Sequence, residues 1–298
     1  MGVFSEQMAA DLAGFPGQRG FSFRRHTTAG IGGASPLALF PRDAAELAAI
    51  VRRLREAHIP HCLLGNGSNV LVSDAGLDGV AVVTKGANAL SVRGESVVAE
   101  CGAMLAAVLA AAVRVGLDGA AFLQGIPATV GGAIFMNAGA GGRCMADIVH
   151  SVTALIGGKV CTLSAAECGF GYKDSIFQKR DCCILSAEFK LKKGDLHSIL
   201  SDIDRVKRRR SALPRGRSMG CVFRNAGGRS AGELIERAGC KGMACGGAFV
   251  SREHANFMIN RGDATAADFV SLIACVRARV LAQAGIRLEE EIRYIGVF

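Results

Sequence analysis

Residues 119–142 (GAAFLQGIPATVGGAIFMNAGAGG) run for 24 residues without a charge and carry seven glycines. Glycine loses more backbone freedom on ordering than any other residue, so much of this stretch suits neither a steady helix nor a steady strand. Its main-chain N–H groups can instead converge on a ligand with no Cβ in the way, which is the chemistry a diphosphate needs. A shorter element of the same kind, Gly65-Asn66-Gly67-Ser68-Asn69, lies between apolar runs at 61–64 and 70–72. Two bland readings stand beside this one. GNGSN alone is an ordinary hairpin turn, and residues 119–142 could be a ligand-free packing loop or, by length, a membrane span. Pro127, Gln124, Asn137 and the glycine density fit lipid poorly.

Elements that could hold these loops are legible on both sides. Residues 43–57 place Leu47, Ile50, Val51 and Leu54 on one face behind a capping Asp43, which predicts an amphipathic helix. Strands are predicted at 61–64, 70–72, 80–83 and 96–100, and a helix at 104–115 that stops at Gly116. A hairpin is expected at 152–156 and 159–163 across Gly157-Gly158, followed by a strand at 184–191. The texture changes after residue 194. A charged helix at 195–211 is broken by Pro214 and Gly216, then a compact unit follows: a strand at 221–224, a helix at 231–238, an apolar stretch near Ala248 and a strand at 256–260. Next comes a helix at 266–284 with a Thr265/Asp268 capping box and Gly285 as its stop. Residues 286–296 read as a final strand interrupted by acids. No regular βαβ rhythm with G-x-G-x-x-G appears, which argues against a Rossmann dinucleotide site.

Composition narrows the class. With 298 residues and 50% hydrophobic content, the chain can bury a large core in two or three domains. Eleven cysteines, an odd and scattered set without C-x-x-C spacing, read as mostly buried reduced thiols and predict no metal site. Glu6 and Asp11 disagree with a signal peptide, so a cytoplasmic location is expected. A net charge of +9 and seven basic residues within 205–217 (RVKRRRSALPRGR) invite a nucleic-acid reading. The absence of Trp and the presence of only two Tyr leave little for base stacking, so the basic segment is assigned to a nucleotide diphosphate or a solvated helix face.

Six segments in order, LLGNGSNVLV, GIPATVGGAIFMNAGAGG, FGYKDSIFQ, GCVFRN, HANFMIN and RLEEEIRYIG, resemble those of the UDP-N-acetylenolpyruvoylglucosamine reductases, in the shorter of that family's two types. The resemblance implies an α+β fold. It consists of an FAD-binding module of the vanillyl-alcohol-oxidase type over residues 1–194, in subdomains of about 1–85 and 86–194, and a C-terminal α+β substrate domain over 195–298 whose tail, 286–298, returns to the active site. It also implies non-covalent FAD with NADPH as hydride donor. The reaction is reduction of the enolpyruvyl ether of UDP-N-acetylglucosamine enolpyruvate to UDP-N-acetylmuramate in peptidoglycan precursor synthesis, with neither nucleic acid nor membrane as partner.

On this resemblance Gly65, Asn66, Gly67, Ser68 and Asn69 wrap the FAD pyrophosphate together with Gly125, Ile126, Pro127, Ala128, Thr129, Val130, Gly131 and Gly132, while Asn137, Ala138 and Gly139 lie beside the flavin. Such chemistry needs a cation for the developing oxyanion and an acid for the α-carbon. The acid position, serine in the family motif, is Cys221 here. A thiol with an ordinary pKa near 8.5 stays mostly protonated at pH 7 and is a stronger acid than a hydroxyl. The cation position, arginine in the family, is Lys173, which keeps the charge but loses the planar two-pronged grip on a carboxylate. Glu291 matches the family's catalytic glutamate, with Glu289 as the alternative. Tyr172, Arg215, Arg217, Arg224 and Asn225 are the implied substrate contacts.

Further departures touch substrate contacts: residues 26–33 read HTTAGIGG where the family tends to have a basic residue, Ala226 replaces a proline, and Phe249 replaces a polar residue. His254 and Asn256 read either as substrate contacts or, preferably, as the polar end of a strand. The rival readings are another FAD-dependent oxidase or dehydrogenase of the same module and a basic nucleic-acid-binding protein.

Overall fold

The computed structural model describes residues 4–298. Backbone contacts gather them into two compact units. The first takes in residues up to Gln18, Ala38–Asn66 and Val80–Ser211; the second takes in Arg19–Leu37, Gly67–Gly79 and Ala212–Phe298. The basic helix Leu196–Ser211, grouped with the second domain by sequence, clusters with the first unit. The turn 65–69 straddles the division, which falls between Asn66 and Gly67.

The first unit is built on a five-stranded antiparallel sheet in the order Lys159–Ser164, Val149–Ile156, Cys182–Lys190, Ser96–Glu100, Leu90–Arg93. Its outer hairpin turns at Gly157-Gly158, where both residues take positive φ (54° and 78°), the backbone a two-residue turn requires for strands of right-handed twist. Helices Ala44–Glu56 and Val130–Phe135 pack on the strand Cys182–Lys190, and Leu105–Arg114 packs against Ser96–Glu100 and Leu90–Arg93. Ala44–Glu56 forms as its periodicity predicts: Asp43 accepts a hydrogen bond from the Glu46 N–H, and Leu47, Ile50, Val51 and Leu54 are buried along one face. Burying each of those side chains contributes roughly 1.5–3 kcal/mol. A parallel pair, His61–Leu64 beside Val80–Val83, carries the chain to Gly65.

The second unit holds a four-stranded sheet in the order Arg217–Cys221, Phe257–Asn260, Ala248–Val250, Ala244–Cys245. Against it lies the helix Ala266–Ala284, with Phe269, Leu272, Ile273 and Val276 buried in the core. The predicted capping box is present, and Gly285 ends the helix at φ 66°. Sequence reading did not find that the Asp74 carboxylate accepts from the Ala266 and Ala267 N–H groups at 2.8 and 3.1 Å. Three main-chain donors of the first turn, at residues 266, 267 and 268, are therefore satisfied by side chains.

The structure corrects several expectations. The strand expected at 221–224 is Arg217–Cys221; the ladder shifts register between Ser218 and Cys221, with Gly220 at φ 74°. The tail 286–296 is not one strand: only Arg293–Ile295 is, parallel to Val70–Val72, and the acids before it run past residues 222–224. The glycine-rich segment contains a short helix, Val130–Phe135, which survives two glycines because Thr129 caps it and Val130, Ala133 and Ile134 are buried. Strands Gly17–Ser22 and Ala34–Leu39 went unread, since glycines in one and Pro36 in the other mask any alternation. None of the cysteines is joined in a disulfide, but only Cys101, Cys168, Cys183 and Cys240 are buried, while Cys161 and Cys275 are exposed. Burial pushes the thiols of Cys62 and Cys101 up to about 12. Among the described residues no helix is long and apolar enough to cross a membrane, and no cluster of metal-ligating side chains occurs.

Asp74→Ala should lower stability by about 1–3 kcal/mol, because two helix donors lose an ionised acceptor. Thr265→Ala should cost about 1 kcal/mol. Urea denaturation at pH 7 checks both, and an Asp74→Ala effect below that of Thr265→Ala would contradict the cap. Hydrogen bonding from the Thr265 N–H first, and then from Gly247, holds the Asp268 carboxyl below its ordinary value. Its contribution is complete above the unfolded-state value and is lost as pH falls through the lower folded-state value. Asp268→Asn should flatten that acid limb.

Candidate active site

In the first unit Gly65 and Asn66 meet the long glycine loop. Asn66 Nδ2 donates to the Pro127 carbonyl at 2.8 Å, tying the short loop to the long one. At Gly65 a Cβ would overlap Thr129 Oγ1, so only glycine allows this approach. No main-chain hydrogen bond among the described residues uses the N–H of Asn66, Gly67, Ser68 or Asn69. Partly buried main-chain donors are normally paired, so four successive open ones form a cradle for an anion. The cradle fits a diphosphate.

The long loop contributes differently from the expectation. The N–H groups of Val130 and Gly131 go to the carbonyls of Ala103 and Cys101, at 2.8 Å each. The Gly132 N–H points to Thr129 Oγ1, and those of Ile126 and Ala128 close local turns. Thus Gly125, Ile126, Pro127, Ala128, Thr129, Val130, Gly131 and Gly132 offer a small-residue wall more than a row of donors. Arg210, at the end of the basic helix, donates to the Gly125 carbonyl at 2.9 Å and lies across that glycine. Neither Arg210 nor its contact was singled out from sequence; its position near the end of a basic run was the only signal.

Asn137, Ala138 and Gly139 follow the short helix. Asn137 sits at φ 42° with both ends of its amide engaged, Nδ2 on the Gly171 carbonyl at 2.8 Å and Oδ1 accepting from the Ala146 N–H. The Ala138 N–H returns to Ala133, and Gly139 pairs with Cys144. The segment beyond Gly171 is a tight turn closed by mutual Gly171 and Asp174 main-chain bonds. Tyr172 and Lys173 occupy its two corners, Tyr172 at 58% exposure and Lys173 in the left-handed region at φ 55°.

In the second unit Cys221 ends the strand Arg217–Cys221, half-buried, and the tail passes directly beside it. The Glu291 N–H donates to the Val222 carbonyl at 2.7 Å, and the Arg224 N–H donates to Glu289 at 2.8 Å. This pairing brings Glu291 next to the residue that follows the thiol. It also separates the three glutamates. Glu290 is committed to Arg277 at 2.8 Å and to the Tyr294 hydroxyl at 2.6 Å, while Glu289 is exposed. Burial, with the Glu290 bond second, raises the Tyr294 phenol above its ordinary value. Glu291 is half-buried, with its carbonyl held by Asn69 Nδ2 at 3.2 Å.

Asn256 precedes the strand Phe257–Asn260 and pins the neighbouring main chain of Phe223. Buried, it accepts from the Phe223 N–H at 2.9 Å and donates to the Phe223 carbonyl at 2.8 Å. His254 accepts from the Asn256 N–H, and burial lowers its imidazole below the ordinary value. Among the implied substrate contacts, Arg224 has a buried Nε with no hydrogen-bond partner, an orphan donor suited to an anionic ligand. Arg215 and Arg217 are exposed, and Arg217 lies across Gly30. Asn225 Oδ1 accepts from the Ala231 N–H. Thr28, not proposed from sequence, binds the carbonyls of both Ser218 and Gly67 at 2.7 and 3.3 Å. It braces the cradle against the strand that ends in Cys221, and the glycine-containing run 26–33 was its only signal.

A family model described as an FAD binding domain matches residues 36–164. With the cradle above, it defines the class as a flavin-dependent oxidoreductase of α+β fold carrying a smaller α+β domain. A second model, described as the C-terminal domain of UDP-N-acetylenolpyruvoylglucosamine reductase, matches residues 212–295. The chain is 43% identical over 277 residues to a UDP-N-acetylenolpyruvoylglucosamine reductase of Heliobacterium modesticaldum, covering 91% of this chain and 88% of that one. It is 41% identical over 269 residues to one from Streptococcus pneumoniae, covering 89% of each. The crystal structure of the Thermus caldophilus enzyme superposes with a TM-score of 0.82 at 33% identity, over 95% of this chain and 100% of that one. An alkyldihydroxyacetonephosphate synthase shares the fold alone, with a TM-score of 0.50 at 14% identity over 64% of this chain and 41% of its own. The chain belongs to the UDP-N-acetylenolpyruvoylglucosamine reductase family.

Asn66→Ala, which cuts the tie to Pro127, should weaken FAD binding about tenfold. Gly65→Val, which drives a side chain into Thr129, should abolish it. Fluorescence titration of the apo chain with FAD measures both, and unchanged affinity in Gly65→Val would contradict the cradle.

Proposed function

We propose that Cys221 delivers the proton to the α-carbon of an enolpyruvyl ether, with Lys173 against the substrate carboxylate and Glu291 beside the acid. The chain is an FAD-containing, NADPH-dependent oxidoreductase that converts UDP-N-acetylglucosamine enolpyruvate to UDP-N-acetylmuramate in peptidoglycan precursor synthesis. FAD, when bound, would supply the hydride-transfer chemistry that links NADPH to the vinyl ether. The rest falls to the chain's own side chains.

The cradle of Gly65, Asn66, Gly67, Ser68 and Asn69 is assigned the cofactor's diphosphate. Main-chain dipoles there neutralise charge without a mobile cation. Hydride arriving at the β-carbon leaves negative charge shared between the α-carbon and the carboxylate. Lys173 answers it as a point charge, and its corner position in a pinned turn offsets the loss of arginine's fork. A thiol donor gives up its proton more readily than the serine of the family motif. Glu291 is assigned the carboxylate partner of this step, and Glu290 a structural anchor.

The observation that supports this reading is the 2.7 Å bond from the Glu291 N–H to the Val222 carbonyl, which ties the tail to the residue that follows the thiol. Arg224 and Asn225 are assigned the sugar nucleotide, Arg215 and Arg217 its diphosphate, and Tyr172 the wall next to Lys173. Both co-reactants, NADPH and a UDP-sugar, are metabolites of the cytoplasm, which is where the reaction is assigned. No nucleic-acid partner is invoked.

The purified protein should be yellow, bleach on adding NADPH and recover its colour with the enolpyruvyl sugar nucleotide under anaerobic conditions. Cys221→Ala should still bleach but recover about 10²–10⁴ times more slowly. Cys221→Ser should recover faster than Cys221→Ala. Equal loss of bleaching and recovery in Cys221→Ala would remove the thiol from its role. Glu291→Gln should slow recovery far more than Glu290→Gln, whose main effect should be a lower melting temperature; the reverse order would reassign the acid.

A further inference from the structure

Three side chains, those of Ser175, Gln178 and Asn137, donate to three main-chain carbonyls around one turn. The Phe135 carbonyl, at the end of the short helix, accepts from Ser175 Oγ at 2.7 Å and from Gln178 Nε2 at 2.8 Å. The same Gln178 Nε2 donates to the Lys173 carbonyl at 3.0 Å. Asn137, two residues past Phe135, donates to the Gly171 carbonyl at the start of the same turn. Of the non-glycine residues at positive φ, His58, Asn137 and Lys173, two thus lie at the ends of one hydrogen-bonded network.

Gln178 makes both bonds through its –NH2 group. Both partners are carbonyl oxygens, which fixes the amide orientation and requires two donors on one planar nitrogen. A carboxylate or thioether of the same length supplies neither. Gln178 stands on the turn Ile176–Gln178, whose Phe177 is buried and whose first N–H is bonded to the Cys168 carbonyl, so its backbone is anchored independently of Lys173. Left-handed backbone at a lysine persists only where its surroundings over-determine it.

We infer that Gln178 is a positioning residue for the reduction: by bridging the Phe135 and Lys173 carbonyls it locks the Lys173 corner to the end of the flavin-binding helix and so sets where the ammonium group stands. This rests on the reading of Lys173 as the carboxylate's cation. Asn137 and Ser175 complete the clamp, but Gln178 alone touches both the helix end and Lys173.

The test uses the FAD-loaded enzyme and the Gln178→Met variant, which keeps side-chain length and removes both donors. Recovery of flavin colour on adding the enolpyruvyl sugar nucleotide should slow at least about tenfold, while bleaching by NADPH changes less than about twofold. Amide hydrogen exchange over residues 171–174 should accelerate at least about tenfold in the chain with and without FAD, with residues 217–221 unaffected. In a Lys173→Ala background the same substitution should slow recovery by no more than about twofold, because its effect passes through Lys173. Lys173→Ala recovering at the parent rate would overturn the cation reading and this inference with it. Lys173→Ala crippled with Gln178→Met unimpaired, or losses that multiply in the double variant, would overturn the inference alone.

Discussion

A diphosphate held without fixed cations needs several main-chain donors, and the proposed cofactor site places that requirement on the turn 65–69. Four successive N–H groups there, from Asn66 to Asn69, enter no main-chain hydrogen bond among the described residues. Glycine at position 65 follows from the closeness of Thr129, and Asn66 holds the second loop against the first. The short helix after Thr129 exists for the same reason: its cap and its buried Val130, Ala133 and Ile134 keep a glycine-rich wall rigid where sequence alone would leave it slack. Ligand-facing backbone is thereby made stiff by side chains that never face the ligand.

The second unit shows how packing gives like residues unlike roles. Glu289, Glu290 and Glu291 are chemically identical, yet one is exposed, one is tied to Arg277 and Tyr294, and one is delivered beside Val222. The delivery depends on Asn256, whose amide clasps the main chain of Phe223 from both sides, and on Asn69, which holds the Glu291 carbonyl. Asn69 comes from the cradle turn, so the residue that closes the anion site also steadies the tail.

Two substitutions within the family's motifs are coupled to local geometry. A thiol for a hydroxyl at Cys221 raises acidity with little change in size. A lysine for an arginine at position 173 trades a planar fork for a mobile ammonium group. The turn that carries Lys173 is correspondingly over-determined, with its carbonyls at 171 and 173 held by Asn137 and Gln178.

Local pattern determined much of this. Helices Ala44–Glu56 and Ala266–Ala284, with their caps, and the strands His61–Leu64, Val70–Val72 and Val80–Val83 were legible because each follows from near-neighbour periodicity and hydrogen bonding. So were both glycine elements. Strand Ala34–Leu39, the Asp74 cap, the commitment of Glu290 and the Gln178 bridge were not. Each rests on a partner distant in the chain or on a carbonyl that any residue could supply, and a carbonyl leaves no mark in the sequence. Sequence therefore determined which groups could do the chemistry; tertiary structure alone decided which stay available for it, because a side chain's role is set by the neighbours that have already claimed it.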